Sequence, residues 1–382
     1  MPADNPFVYG EIVPADAFVG RDPELKRLAG DLANGQKVFL ISPRRYGKSS
    51  LVRQTFHALA RQKITTLEFT VSSFSSYVAF LEGYARALVS LQTRATQTRG
   101  WIRDLFSTAK PEVRPDSGGA GGMTLAFPAV RTQRDAARLA EEVFALPARI
   151  ADGLGRRLVI ALDEFQAIGS FNGGSVEQAL RAAVQQQRQV GYVFAGSEPT
   201  LMEQMIGPKR PFYKAGPVMR LQKIPAATFA AFVDRRFTKS GITPEAGLGA
   251  AVVDLSGNLP YDVQRLAHEA WDDVVADRRK RATLDDLHAT LNRLLAEHDT
   301  MLEAVWQRLT LAQRGALRAV VFEQGEELLA ADVRERHRLG GASTVQAALT
   351  ALQRDDIVAR EDSGRYQVVD SLIREWVARK TY

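Results

Sequence analysis

The stretch Lys37-Val-Phe-Leu-Ile-Ser-Pro-Arg-Arg-Tyr-Gly-Lys-Ser-Ser-Leu51 constrains this chain more than any other. Residues 38–41 are an apolar run of strand type that stops at Ser42-Pro43. An amphipathic helix follows, marked by Leu51, Val52, Phe56 and Leu59. Between them stands Gly47-Lys48-Ser49. A strand handed to a helix start across such a turn aims backbone N–H groups and the positive end of the helix at an anion. Lys48 is placed to reach phosphate oxygens and Ser49 to offer a hydroxyl to Mg²⁺, the chemistry of a P-loop. The first position of the loop holds Ser42 where the consensus has Gly, so the pattern reads S-x-x-x-x-G-K-S. The alternative is a chance Gly-Lys-Ser in an ordinary strand-to-helix turn.

A second stretch answers the first. Arg156-Arg-Leu-Val-Ile-Ala-Leu-Asp-Glu-Phe-Gln166 carries a continuous apolar run, as a parallel strand buried on both faces requires, and ends in Asp163-Glu164. Ligands of α/β sheets sit at the carboxyl ends of the strands. Asp163 is expected in the Mg²⁺ shell, and Glu164 is expected to orient and polarise an attacking water. The bland alternative is a pair of surface acids ending a core strand. Residues 191–198 form a further buried strand. Ser197 at its end stands where a group sensing the γ-phosphate is expected, or else simply closes the strand.

Upstream of the loop, Phe18-Val-Gly-Arg21 precedes a helix in which Asp22 is expected as N-cap and Pro23 as first residue, with Leu25, Leu28 and Leu32 on one face. Such a turn before a P-loop strand suits an adenine-side wall, with Phe18 or Val19 against the base. Residues 64–70 read as a strand and 77–91 as a helix. Residues 94–124 are polar, contain Ser117-Gly-Gly-Ala-Gly-Gly122 and read as a mobile insertion, with a short strand at 123–129. A long helix is expected over 134–154, another over 176–189, and a last strand at 218–222. Lys209, Arg210, Lys214 and Arg220 are candidates for a cation acting on a neighbour's nucleotide, or plain surface charge.

From residue 224 the pattern is helical: 228–239, 244–256, 261–276 and 284–295. The basic run Arg278-Arg-Lys-Arg281 offers a contact for nucleic acid, but with Asp272, Asp273 and Asp277 just upstream it reads rather as a solvated helix end. Three further helices at 311–322, 330–338 and 344–354, then a strand–turn–strand over 357–369 and a closing helix at 371–380, give the order of a winged helix. Ser343 is expected to cap its third helix.

Composition bounds the partners. The 382 residues contain no cysteine, which excludes disulfides and thiolate metal sites, and the five histidines are scattered. No run reaches a membrane span, and the start of the chain lacks the pattern of a signal peptide, so a cytoplasmic location is expected with no membrane partner. Net charge is +6 overall, but residues 1–199 carry +5 of it and residues 299–382 hold 12 Lys/Arg against 13 Asp/Glu. That balance offers little to a nucleic-acid backbone.

Taken together, Asn5-Pro-Phe, Phe18-Val-Gly-Arg21, Ser42-Pro-Arg-Arg-Tyr-Gly-Lys-Ser-Ser50, Leu162-Asp-Glu164 and Gly257-Asn-Leu-Pro260 resemble the prokaryotic, archaeal-type P-loop ATPases of the AAA+/STAND group. The resemblance covers nearly the whole chain. It implies an α/β fold with a five-stranded parallel sheet of order 5-1-4-3-2 as ATPase core over residues 1–223. It also implies a helical lid over 224–298 and a C-terminal winged-helix domain over 299–382. ATP or ADP with Mg²⁺ is the implied cofactor. Contacts are implied for Val19, Gly20, Arg21, Pro43, Arg44, Arg45, Tyr46, Gly47, Lys48, Ser49, Ser50 and Pro260. Ser49 and Asp163 would ligate the metal, with Glu164, Asp163 and Ser197 as the catalytic set. An Arg common after the first sensor is replaced here by Lys214 in Pro211-Phe-Tyr-Lys-Ala-Gly216, a monodentate substitute, and Ser197 is shorter than the usual sensor. Both suit a slow nucleotide switch, with the winged helix as output or regulatory module toward a protein partner. The alternative is an ATP-dependent loader acting on duplex DNA. A scaffold that binds nucleotide without hydrolysis is disfavoured by the intact Asp163-Glu164, and no phospho-acceptor site suggests a kinase. A monomer or a nucleotide-dependent oligomer are both compatible.

Overall fold

The computed structural model describes residues 4–92, 99–107, 109, 111–115, 123–171, 174–361 and 363–380. The chain divides into two compact units. The α/β unit holds residues 21–43 and 48–222, and the helical unit holds residues 1–20, 44–47 and 223–382.

The α/β unit begins with α1 (Asp22–Ala33) and β1 (Lys37–Ile41), followed by α2 (Lys48–Arg61), β2 (Thr65–Thr70) and α3 (Tyr77–Val89). Next come α4 (Arg99–Asp104), β3 (Glu112–Pro115), β4 (Met123–Ala126), α5 (Gln133–Leu154) and β5 (Leu158–Asp163). It closes with α6 (Gly174–Gln186), β6 (Val190–Gly196), α7 (Pro199–Ile206) and β7 (Val218–Arg220). Five strands form one sheet in the order β2-β5-β6-β1-β7, all parallel, which in chain order is the 5-1-4-3-2 arrangement expected. The central strands are the most apolar because helices cover both faces: every residue of β6 is buried, as are residues 158–162 of β5. Register aligns the strand ends. Ile41 of β1 pairs with Gly196 of β6, and Asp163 of β5 pairs with Thr70 of β2, so Ser42, Asp163 and Ser197 leave the sheet at one edge.

Some expectations are corrected. Arg21, not Asp22, precedes the first turn of α1, and no side chain caps it. Thr132 instead exchanges hydrogen bonds with Asp135 at the start of α5, and Ser76 accepts the Ala79 N–H at the start of α3. The segment read as a polar insertion carries α4 and the antiparallel β3–β4 pair, with Ile102, Leu105 and Phe106 in the core. Its glycine-rich stretch, 117–122, lies outside the described residues.

The helical unit contains α8 (Ala226–Lys239), β8 (Thr243–Pro244), α9 (Leu248–Leu255), α10 (Pro260–Ala276), β9 (Arg281–Ala282) and α11 (Leu284–Arg308). It continues with α12 (Leu311–Phe322), α13 (Ala331–Arg336), α14 (Ala342–Arg354), β10 (Val358–Arg360), β11 (Tyr366–Val368) and α15 (Ser371–Lys380). Its N-terminal segment is tied down by Phe7, whose ring meets Phe237 at 5.0 Å, and by Asn5 Nδ2, which donates to the His268 carbonyl at 3.0 Å. One apolar cluster runs from Phe229 and Trp271 through Leu291 to Leu317, Leu349 and Trp376. The 25-residue helix α11 crosses the 298/299 position read as a domain border. Gly341, not Ser343, stands at the N-cap of α14, and no side chain caps that helix. The basic run is engaged locally, with Arg279 bonded to Asp286 at 2.7 Å and Asp277 at 3.1 Å.

Candidate nucleotide site

Within the α/β unit the start of α2 and the end of β5 converge. Lys48, the first residue of α2, is 7% exposed, and its Nζ lies 2.7 Å from Asp163 Oδ1 and 3.5 Å from Glu164 Oε1. Glu164 turns off the end of β5 in the left-handed region at φ 50, which brings its carboxylate back toward Lys48. Its other oxygen, Oε2, accepts from Ser197 Oγ at 2.6 Å and from Gln166 Nε2 at 2.5 Å. An ammonium, two carboxylates and two polar orienting groups are therefore gathered at the carboxyl edge of the sheet. Ser49 and Ser50 follow in the first turn of α2, whose leading N–H groups have no intrahelical partner by construction.

The serine in place of the first glycine has a simple account. Positive φ in this loop falls at Arg45 (69) and Gly47 (86), not at Ser42, so position 42 makes no demand for glycine. The glycine demand sits at Gly47, which the motif keeps. Ser42 Oγ is buried without a hydrogen-bond partner, a spare polar group at the base of the loop.

Gln166 escaped sequence reasoning. Besides Glu164 it donates to Glu198 Oε1 at 3.3 Å, and its own Oε1 is buried and unpartnered. The signal was Gly196: a Cβ there would meet Met202 and lie 2.8 Å from Gln166 Oε1, so only glycine lets these side chains close over the strand end.

The loop tip, residues 44–47, belongs to the helical unit. Arg44 bonds Asp356 at 2.9 Å, Arg45 bonds Asp370 at 2.9 Å, and the Tyr46 hydroxyl lies 3.2 Å from Gln367 Oε1. Pro43 is half-buried beside them in sequence. In the same unit Val19 packs on the apolar cluster, Gly20 passes close to Ile224 at φ 67, and Pro260 is the first residue of α10. Arg21 lies in the α/β unit, 3% exposed, with its guanidinium committed to Glu24 at 3.1 Å and to the carbonyl of Gln222. That commitment makes it a brace rather than a free ligand group. Of the candidate trans-acting cations, Arg210 is bound to the buried Glu177 at 2.7 Å and Arg220 to Glu203 at 3.0 Å. Lys214 lies against the Tyr213 ring at 5.3 Å.

Charge around the tip is shaped by burial. Desolvation pushes the Asp262 carboxyl up to about 6 despite Arg265 beside it. Burial would also raise Asp370, but the charge and hydrogen bond of Arg45 hold it below the usual carboxylate range. Among the described residues no three His, Asp or Glu side chains form a metal cluster, and no helix is long and apolar enough to cross a membrane.

Residues 300–379 match the family model of a probable winged helix domain. No curated protein matches the chain. Among solved structures, the Walker-type ATPase paby2304 of Pyrococcus abyssi is similar at 15% identity and a TM-score of 0.62, covering 96% of this chain and 99% of that one. The Aeropyrum pernix ORC2 protein in its ADP form is similar at 14% identity and a TM-score of 0.53, over 99% and 97%. The Aeropyrum pernix ORC1 protein, solved in complex with DNA, is similar at 14% identity and a TM-score of 0.51, over 97% and 96%. With the parallel five-stranded sheet and the C-terminal match, this chain shares the fold of these solved structures, and its residues 300–379 match a probable winged helix domain.

Proposed function

We propose that this chain binds ATP and hydrolyses it slowly, as a molecular switch whose winged helix is the output or regulatory module. The observation that carries the reading is the placement of Lys48 Nζ between Asp163 and Glu164, at 2.7 and 3.5 Å. Three groups of the types that phosphoryl transfer to water requires are thereby held together by an ATPase-type fold. Lys48 would hold the terminal phosphates, and the orphaned Ser42 hydroxyl suits an extra phosphate oxygen. Mg²⁺, when bound, neutralises charge that develops on those oxygens. Ser49 and Asp163 would hold it, and its other ligands would be phosphate and water, the usual preference of this ion. Glu164 would orient water, while Ser197 and Gln166 fix its carboxylate and occupy lone pairs the water would otherwise use. That engagement, and Lys214 where a bidentate Arg is usual, supports slow turnover. Lys48→Ala is expected to abolish ATP binding in an equilibrium titration. Unchanged affinity would contradict the reading.

The similar fold of an ORC1 protein solved with DNA favours a second reading, a loader acting on duplex DNA through the winged helix. The outward face of α14 argues for a protein partner instead. It carries exposed Ser343, Thr344, Gln346, Ala347 and Thr350, and its Arg354 is paired with Asp355 at 3.2 Å. Such a face neutralises few phosphates. A salt-sensitive gel shift that disappears in Arg360→Glu/Arg365→Glu would promote the DNA reading.

A further inference from the structure

Within the helical unit, α8, α9, the end of α12, β11 and α15 border a groove of about 730 Å³. That volume falls in the range of small-molecule sites, roughly 300–1,000 Å³. Small side chains keep it open: Ala226, Ala227 and Ala230 of α8 and Ala250 of α9 line it together with Val321 and Phe322 of α12. Ala226, Ala227 and Ala250 are exposed, so a solute has access to it.

Three cations share this lining. Lys223 Nζ lies 3.1 Å from Glu361 Oε1, and burial holds its ammonium below the ordinary lysine pKa, with Glu361 opposing the shift and Arg365 and Arg374 adding to it. Arg365 has two carboxylates nearby, Glu361 at 3.5 Å and Glu326 at 3.8 Å, both too far for a good hydrogen bond, and its Nε is buried without a partner. A guanidinium is a planar fork of donors and a buried unpaired donor is costly, so Arg365 calls for an acceptor that this chain does not supply. Arg374 commits Nε and Nη2 to Glu375 Oε1 at 3.1 and 2.7 Å, and Nη2 also to the Asp254 carbonyl at 2.8 Å. Its Nη1 lies 3.3 Å from the place a Cβ on Gly257 would take, so glycine leaves room beside that donor. Of the two acids in the lining, Glu375 is shared with Arg379 at 3.2 Å and Asp254 is exposed. Asn258 Nδ2 donates to the Ile224 carbonyl at 2.9 Å, tying the backbone next to Lys223 to the end of α9. Positive charge is thereby held in place beside an apolar wall.

We propose that this groove binds a small organic anion, with its oxyanion head on Lys223, Arg365 and Arg374 and its apolar body along the alanines and Phe322. The site is contained within the helical unit and stands independently of the nucleotide reading.

The test is titration of the full chain with 8-anilinonaphthalene-1-sulfonate, an aromatic anion whose fluorescence rises in an apolar site. N-phenyl-1-naphthylamine, the same rings without the sulfonate, is the neutral comparison. A single saturable site for the anion is expected, with the neutral compound bound roughly tenfold more weakly or worse, the scale of one hydrogen bond to a charged group. Arg365→Gln should weaken the anion by a similar factor, and Ala227→Trp, which fills the groove from an exposed position, should abolish its binding. Lys48→Ala should leave it unchanged. Equal binding of the two compounds, wild-type affinity in Arg365→Gln, or loss of binding in Lys48→Ala overturns the proposal. Should Ala227→Trp fail to fold, Ala250→Trp on α9 carries the same expectation, and undiminished binding there overturns it.

Discussion

Lys48 and Asp262 are both buried charges beside opposite charge, but they do different work. Lys48 sits between two carboxylates that a nucleotide would have to share, whereas Asp262 is sealed beneath Arg265 and Arg45, near Asp370. For Asp262 burial is the larger influence, and its folded pKa, about 6, lies above the ordinary carboxyl value. The folded state therefore binds the proton more tightly, and this group's contribution to stability is full below about pH 4 and lost as pH rises through 6. Thermal unfolding of wild type and Asp262→Asn from pH 4 to 8 is expected to show wild type losing ground to the variant between about pH 4 and 6, with a constant difference above 7. A pH-independent difference would contradict the burial account. At this scale the sequence was legible where chemistry dictates spacing: Lys48 and the pair Asp163-Glu164, read from two separate motifs, lie 2.7 and 3.5 Å apart. Gln166, Asp262 and Asp370 were not legible, because their roles arise from contacts 2 to 325 positions apart along the chain that no local pattern encodes.

Among the elements, those specified by local signals were read best. The apolar runs of β1, β5 and β6 predict central parallel strands, and the 3.6-residue periodicity predicts α12, α14 and α15 to within two residues. Caps were read worst. Asp22 and Ser343 have the right residue type at the wrong position, while the capping boxes of Thr132–Asp135, Thr283–Asp286 and Thr310–Gln313 went unread. The long α11 depends on one of them: Thr283 Oγ1 accepts the Asp286 N–H at 3.2 Å, and Asp286 Oδ2 accepts the Thr283 N–H at 2.8 Å. Thr283→Ala is expected to cost about 1 kcal/mol in chemical denaturation and to leave nucleotide affinity unchanged. A loss below a few tenths of that would mean that tertiary packing alone sets the start of α11.

For the whole molecule, strand order followed from the resemblance and is found in the sheet, but the division of the chain was subtler than a linear cut. Residues 1–20 and the loop tip 44–47 join the helical unit, and one apolar cluster with α11 running through it links α8–α10 to α12–α15. A sequence read in order assigns neighbours to one domain, and only long-range contacts such as Phe7 with Phe237 or Arg45 with Asp370 reveal the exchange. The central claim, a slow ATPase built on Lys48, Asp163 and Glu164, is tested most directly by steady-state ATP hydrolysis against protein concentration, with Glu164→Gln as the comparison. The account predicts a low rate per chain in the wild type that falls by roughly 10²-fold or more in Glu164→Gln while ATP binding persists. Hydrolysis that is equal in the two proteins would contradict it.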